Sequence, residues 1–158
     1  KPNRWRHYLH NARDWGESVV PIGYRNLTTQ QRGAFIIPNS TASGAIRGGA
    51  AVSVVDMGGN VKIIECSAVS NAKTFVGFAV TTVADGDVVA VISLRGSTVT
   101  PIVQGAGALT AGDIVYLSPT AGEITHTPVT TGTLIRVGPA ISAAQITLLT
   151  DYQVQMTA

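Results

Sequence analysis

Between residues 51 and 149 the chain is a succession of short apolar, β-branched runs, each stopped by a turn signal, and a sheet is what such a pattern folds into. The clearest runs are Ala51–Val55, Val61–Cys66, Thr74–Thr81, Asp87–Leu94, Thr98–Val103, Asp113–Leu117, Gly122–Thr127, Thr133–Val137 and Gln145–Leu149. The turns between them are explicit: Gly58-Gly59-Asn60, Ala84-Asp85-Gly86, Arg95-Gly96, Ala111-Gly112 and Thr120-Ala121-Gly122. No stretch in this region sustains a helical apolar period. The expected core is Val52, Val54, Ile63, Phe75, Phe78, Val89, Val91, Ile114, Val115, Ile124, Ile135 and Ile146.

The region also echoes itself. Gly59-Asn60-Val61-Lys62 matches Gly122-Glu123-Ile124-Thr125 at an offset of 63, and Gly77-Phe78-Ala79-Val80 matches Gly138-Pro139-Ala140-Ile141 at an offset of 61. A third echo pairs Gly86-Asp87-Val88-Val89 with Gly112-Asp113-Ile114-Val115. The expected fold is all-β: a compact β-barrel or β-sandwich of two weakly related halves on a common core, preceded by an extended or partly helical N-terminal arm.

The organisation expected is an arm over residues 1–32, a Gly/Ser/Ala-rich linker or single lead-in strand over 33–50, and a β-domain over 51–158. The lead-in strand would be Phe35-Ile36-Ile37-Pro38. The arm holds both tryptophans, Trp5 and Trp15, and two of the three histidines. Its positions 5, 8, 9, 12 and 15 are spaced for one helical face, with Gly16 as a stop; an extended arm that orders on a partner fits equally well.

Charge divides the chain as the pattern does. Residues 1–47 hold seven basic against two acidic side chains, net +5, and residues 48–158 hold four against seven, net −3. A basic arm on a mildly acidic body implies a separate partner for the arm. Arg4, Trp5, Arg6, Tyr8, Arg13 and Trp15 are the candidate partner-binding residues. Arg, Trp and Tyr are the side chains that most often anchor protein interfaces, and they also grip single-stranded nucleic acid. The small positive footprint beside an acidic body favours protein. Only 13% of residues are charged while 45% are hydrophobic, which suits a chain that lives in an assembly.

Catalytic chemistry is not legible. His7 and His10 could meet on a helix face but bring no further ligand, and His126 reads as an exposed strand position. There is no Gly-x-Ser-x-Gly elbow and no Walker loop, and Gly105-Ala106-Gly107-Ala108 reads as a loop. Asp85, Asp87, Asp113 and Glu123 sit in or beside turns, where carboxylates bond local amides. The lone cysteine, Cys66, lies in an apolar run and reads as a small buried hydrophobe. No enzyme activity, cofactor or metal is expected. No apolar stretch is long enough for a membrane span, and the N-terminus shows no signal-peptide pattern.

In order along the chain come Ile46-Arg47-Gly48-Gly49-Ala50, the strand and return Val52–Cys66, Phe75-Val76-Gly77-Phe78-Ala79 and Asp85-Gly86-Asp87-Val88-Val89-Ala90-Val91. They are followed by Gly105–Leu109, Ala111-Gly112-Asp113-Ile114-Val115-Tyr116-Leu117, Gly122-Glu123-Ile124 and Val137-Gly138-Pro139-Ala140-Ile141. This succession resembles the capsid decoration (cement) and head-fibre base proteins of tailed bacteriophages, over about residues 45–150. The resemblance implies a structural virion protein on the capsid surface, whose partners are the major capsid protein and neighbouring copies of itself, often as a trimer. It implies no catalytic residues. The alternative function is an attachment module, such as a head-fibre base, collar or tail component that binds glycan or another virion protein. The close of the sequence just after the last expected strand favours a self-contained cement unit over a fibre base.

Overall fold

The computed structural model describes residues 34–37, 40–149 and 152–156. They form thirteen strands and two short 3-10 turns, Ala72–Thr74 and Gln104–Ala106. The strands are β1 (Ala34–Ile36), β2 (Thr41–Ala42), β3 (Ala51–Met57), β4 (Asn60–Glu65), β5 (Phe75–Ala79), β6 (Ala90–Ile92), β7 (Thr98–Val99) and β8 (Ile102–Val103). They continue with β9 (Ile114–Leu117), β10 (Glu123–Thr125), β11 (Gly132–Pro139), β12 (Ile146–Thr147) and β13 (Tyr152–Met156).

The first half is a six-stranded sheet in the order β1-β6-β5-β3-β4-β2. β1 and β2 are consecutive in the chain yet stand at opposite ends of that order, so the sheet curls back on itself. Hydrogen bonds from Ala42 N to Asp87 O (2.7 Å) and from Gly86 N to Ala42 O (3.1 Å) tie the β2 edge to the turn that leads towards β6. The second half repeats this circuit. β8 pairs in parallel with β10 as β2 does with β4, and β9 pairs with β10 and β11 as β3 does with β4 and β5. β7 pairs with β12, as β1 pairs with β6.

The repetition holds bond by bond. Gly49 N donates to Ala79 O and Gly112 N to Ala140 O, both at 2.8 Å; Ala79 N donates to Ala50 O, and Ala140 N to Asp113 O. The offset is 63 before the β3–β4 hairpin and 61 after it, because the Val54–Ile63 pair encloses two more residues than its counterpart Leu117–Ile124. The Gly77/Gly138 echo runs at the second of these offsets, whereas the Gly59/Gly122 echo runs at 63 where the structure keeps 61, so it sets Val61 on Ile124, whose structural counterpart is Ile63. The third echo is not structural: Gly112-Asp113 corresponds to Gly49-Ala50, and Gly86-Asp87 only shares its turn chemistry.

Each half fills its own interior from equivalent positions. Ile46, Val52, Ile63 and Ala79 are buried in the first, and Leu109, Val115, Ile124 and Ala140 in the second. The halves meet through the outer face of the first sheet. Along β3, β5 and β6, Val52, Ala79 and Val91 point into the first core, while their neighbours Ala51, Phe78 and Ile92 join the second. Side chains of a strand alternate between faces, so a strand buried on both is apolar: β5 and β6 are so throughout, and in β3 the buried Ser53 donates its hydroxyl to the Asn71 carbonyl.

Gly77 and Gly138 are equivalent and do the same work. Their φ angles are 147° and 155°, and each lies at a register shift against the neighbouring strand. A Cβ at Gly77 would run into the carbonyl oxygen of Ile92, and one at Gly138 into that of Thr147. The glycines let β5 and β11 bulge while another backbone passes close by.

Several expectations are corrected. The run Thr98–Val103 is two strands, since Pro101 has no N–H to continue a ladder and the pieces pair with different neighbours. The last strand is not Gln145–Leu149 but β13, which adds to β11. Phe35-Ile36-Ile37-Pro38 contributes β1, and β2 follows it into the same sheet. Within the expected core Val54, Phe75 and Ile114 are half-buried; the side chain that strand alternation sends inward from β9 is Val115.

Two outcomes test this arrangement. Val115→Asp should cost more than about 4 kcal/mol and abolish the folded circular-dichroism spectrum, because it buries an unpaired charge. Ile114→Asp should cost about 1–2 kcal/mol and stay folded. Gly77→Ala and Gly138→Ala should each lower stability in urea by more than about 2 kcal/mol, whereas Gly58→Ala, with open space around it, should cost about 1 kcal/mol or less.

Candidate functional site

The densest charged cluster among the described residues stands where the two halves join. Backbone bonds stitch the junction: Cys66 N to Ala51 O (3.0 Å), Ala51 N to Gly122 O (2.9 Å), Gly122 N to Cys66 O (2.8 Å), and Ala68 N to Ser118 O (2.8 Å). Over this seam lies Arg47, from the turn that precedes β3. Its Nε donates to both oxygens of Glu65, at 3.0 and 3.2 Å, and its NH2 donates to Glu65 Oε2 and to the Ala121 carbonyl, each at 2.7 Å. NH1 stands 3.5 Å from Glu123 Oε1. The Arg47 backbone N–H also donates to Glu65 Oε1. Glu65 ends β4 and Glu123 opens β10, so one guanidinium holds an acid from each half.

The Arg47 side chain is 48% exposed, against 16% and 15% for its two acids. The hydrogen bond to Glu65 is the largest influence keeping the guanidinium protonated. A Cβ on Gly122 would strike both the Glu65 carboxylate and the Arg47 guanidinium, so the turn glycine makes room for the pair. Both Glu65 oxygens are engaged by the Arg47 guanidinium, so the carboxylate is taken up in closing the junction. The cluster is a staple between halves.

The other candidates are dispersed. Asp85 Oδ1 accepts the Gly44 N–H (2.8 Å), and Asp87 Oδ2 accepts the Ala84 N–H (3.2 Å), which is the turn-building role their sequence positions predict. His126 is exposed just beyond β10. No group of three His, Cys, Asp or Glu among the described residues could hold a metal. A depression of about 430 Å³ beside Ala68, Lys73 and Thr133, and one of about 280 Å³ beside Pro119, Thr125 and Pro128, have no carboxylate, histidine or cysteine among the described residues that line them. Phe75 and Phe78 stack edge to face, 5.7 Å between centroids at 79°, and serve the core.

Cys66 is fully buried, and burial pushes its thiol up to about 11, although a hydrogen bond with Ser53 acts the other way. The sequence candidates Arg4, Trp5, Arg6, Tyr8, Arg13 and Trp15 lie outside the described residues. Sequence reasoning missed the Arg47 staple, having counted Arg47 with the basic arm. With Arg47 assigned to the body, residues 1–32 hold six basic and two acidic side chains, net +4. The Glu65 and Glu123 charges are far from Arg47 in sequence, and no local signal joins them.

Arg47→Met should lower stability by about 2–3 kcal/mol in urea unfolding, because two largely buried carboxylates lose their counter-ion. The native thiol should resist a disulfide reagent and react fully on unfolding. A thiol in the unfolded chain titrates near 9, so as pH rises the unfolded state loses its proton first. Stability should therefore fall between about pH 9 and 11, and less so in Cys66→Ala.

The sequence model of a family described as phage cement protein matches residues 30–147. Comparison with curated proteins gave no match.

Proposed function

The chain belongs to the phage cement protein family, and from that membership we propose that it binds the outer surface of a tailed-phage capsid and stabilises it. The observation that carries this reading is the family match across both halves of the β-body. The architecture agrees with it. Two barrel-like halves joined by a shared core and a staple suit the clamping of neighbouring subunits. We read the protein as a virion component and not an enzyme, since the junction carboxylates are consumed by Arg47 and the depressions lack catalytic groups. No cofactor or metal belongs to the proposal. The attachment-module alternative has less support, because Phe75 and Phe78 are spent on the core and leave few body aromatics for a sugar platform.

In this proposal residues 1–32 act as an arm separate from the β-body. Trp5, Tyr8 and Trp15 would be anchors in the major capsid protein or in a neighbouring copy of a trimer, with Arg4, Arg6 and Arg13 facing acidic groups there. Aromatics of this size are worth more buried in a partner than left in water. The positive arm would speed and orient docking.

Deleting residues 1–32 should leave a β-body with an unchanged far-ultraviolet spectrum that decorates capsids at least tenfold more weakly, read by co-sedimentation. Replacing Trp5 and Trp15 by Ala should weaken attachment more than neutralising the three arginines. Equal decoration by truncated and intact protein would refute the arm's role. Tight, steeply salt-dependent binding of single-stranded DNA by the arm would move its partner to nucleic acid.

A further inference from the structure

Among the described residues, the second half carries one strand without a counterpart in the first. β13 pairs with β11 from Gly132↔Met156 to Arg136↔Tyr152, whereas the equivalent of that stretch in the first half is the 3-10 turn Ala72–Thr74 leading into β5. The added strand widens the outer face of this sheet. Val115 and Leu117 of β9 and Ile135 and Val137 of β11 are buried inward. The alternate residues Ile114, Tyr116, Leu134 and Arg136 form the outward set, all half-buried. Arg136 is central: its Cα partners are Tyr116 on one side and Tyr152 on the other. Its Nε is covered by the chain itself and has no hydrogen-bond partner, so an outside group can meet the guanidinium only at its terminal nitrogens.

A charged N–H donor in that state is costly and uncommon in a finished structure. A guanidinium in an apolar, tyrosine-bearing face is the usual make-up of an interface centre rather than of open surface. We propose that this outer face of β9 and β11, centred on Arg136, seats the protein on the capsid shell, and that the shell supplies a carboxylate to the Arg136 guanidinium. The inference rests on the capsid-binding function proposed above and names its contact surface. The fork of guanidinium donors matches a carboxylate in two parallel bonds, and the occupant's chemistry follows from that. A second copy fits less well: a two-fold contact centred on this face would bring Arg136 against its own symmetry mate, cation to cation.

The test uses full-length protein and capsid shells stripped of it, with binding read by co-sedimentation, oligomeric state by light scattering and folding by thermal melts. Arg136→Met keeps the packing stem and removes the orphaned donor. It should melt at or above the wild-type temperature, keep its oligomeric state and bind shells roughly 30-fold more weakly or worse. Arg136→Glu should bind no better than Arg136→Met. A folded Arg136→Met that decorates shells as well as wild type overturns the proposal. So does a variant whose loss is confined to self-association, which would assign the face to a second copy. Wild-type protein that fails to bind stripped shells would sink the capsid-binding function itself, and this surface with it.

Discussion

The sheet formed by β3, β5 and β6 serves two cores at once, and the rest of the molecule is arranged around that constraint. Successive residues on each strand go to opposite sides: Val52 and Ala51, Ala79 and Phe78, Val91 and Ile92. Neither half can shift register without driving its whole inward set onto the wrong face. The first half therefore supplies part of the second half's core, and Phe78, fully buried, is its largest contribution, a side chain worth about 1.5–3 kcal/mol. Removing the second half would leave the face bearing Ala51, Phe78 and Ile92 uncovered.

The internal duplication explains what is shared, and its departures show where the halves have separate work. Equivalent bonds at Gly49 and Gly112, equivalent bulges at Gly77 and Gly138, and equivalent parallel pairings at β2 and β8 keep the common frame. The hairpin differs by two residues. Arg47 has Thr110 at the matching position, so the staple occurs once, at the seam, and points from the first half to the second. β13 occurs once too, on the opposite partner. The unique features thus fall at the junction and on one outer face, the places where a duplicated module must distinguish its two ends.

Among the described residues Asp85 and Asp87 close turns, Arg47, Glu65 and Glu123 join the halves, Cys66 is buried, and Gly77 and Gly138 allow close backbone approaches. Membership of the phage cement family agrees with that inventory. Rigidity matters for such a role, since an ordered surface loses little freedom on docking and can return more of its contact energy as affinity.

Much of the fold was legible because its signals are local. β-branched runs and Gly turns fix strands within a few residues, and the echo at Gly77/Gly138 carried the duplication at one of its two offsets. The strand pairings were not legible: nothing local tells β2 to run parallel to β4, or sends the two sides of Pro101 to different sheets. Ile114 and Val115 look alike in sequence, and only the position of β9 against the second core decides which goes inside. The meeting of Arg47, Glu65 and Glu123, and the orphaned nitrogen of Arg136, depend on residues brought together by packing across many turns. The sequence by itself determined the class of structure and its repeat, because propensity and periodicity act over a few residues; the tertiary structure alone decided register, the staple and the outward face, because those are set by contacts between segments distant in the chain.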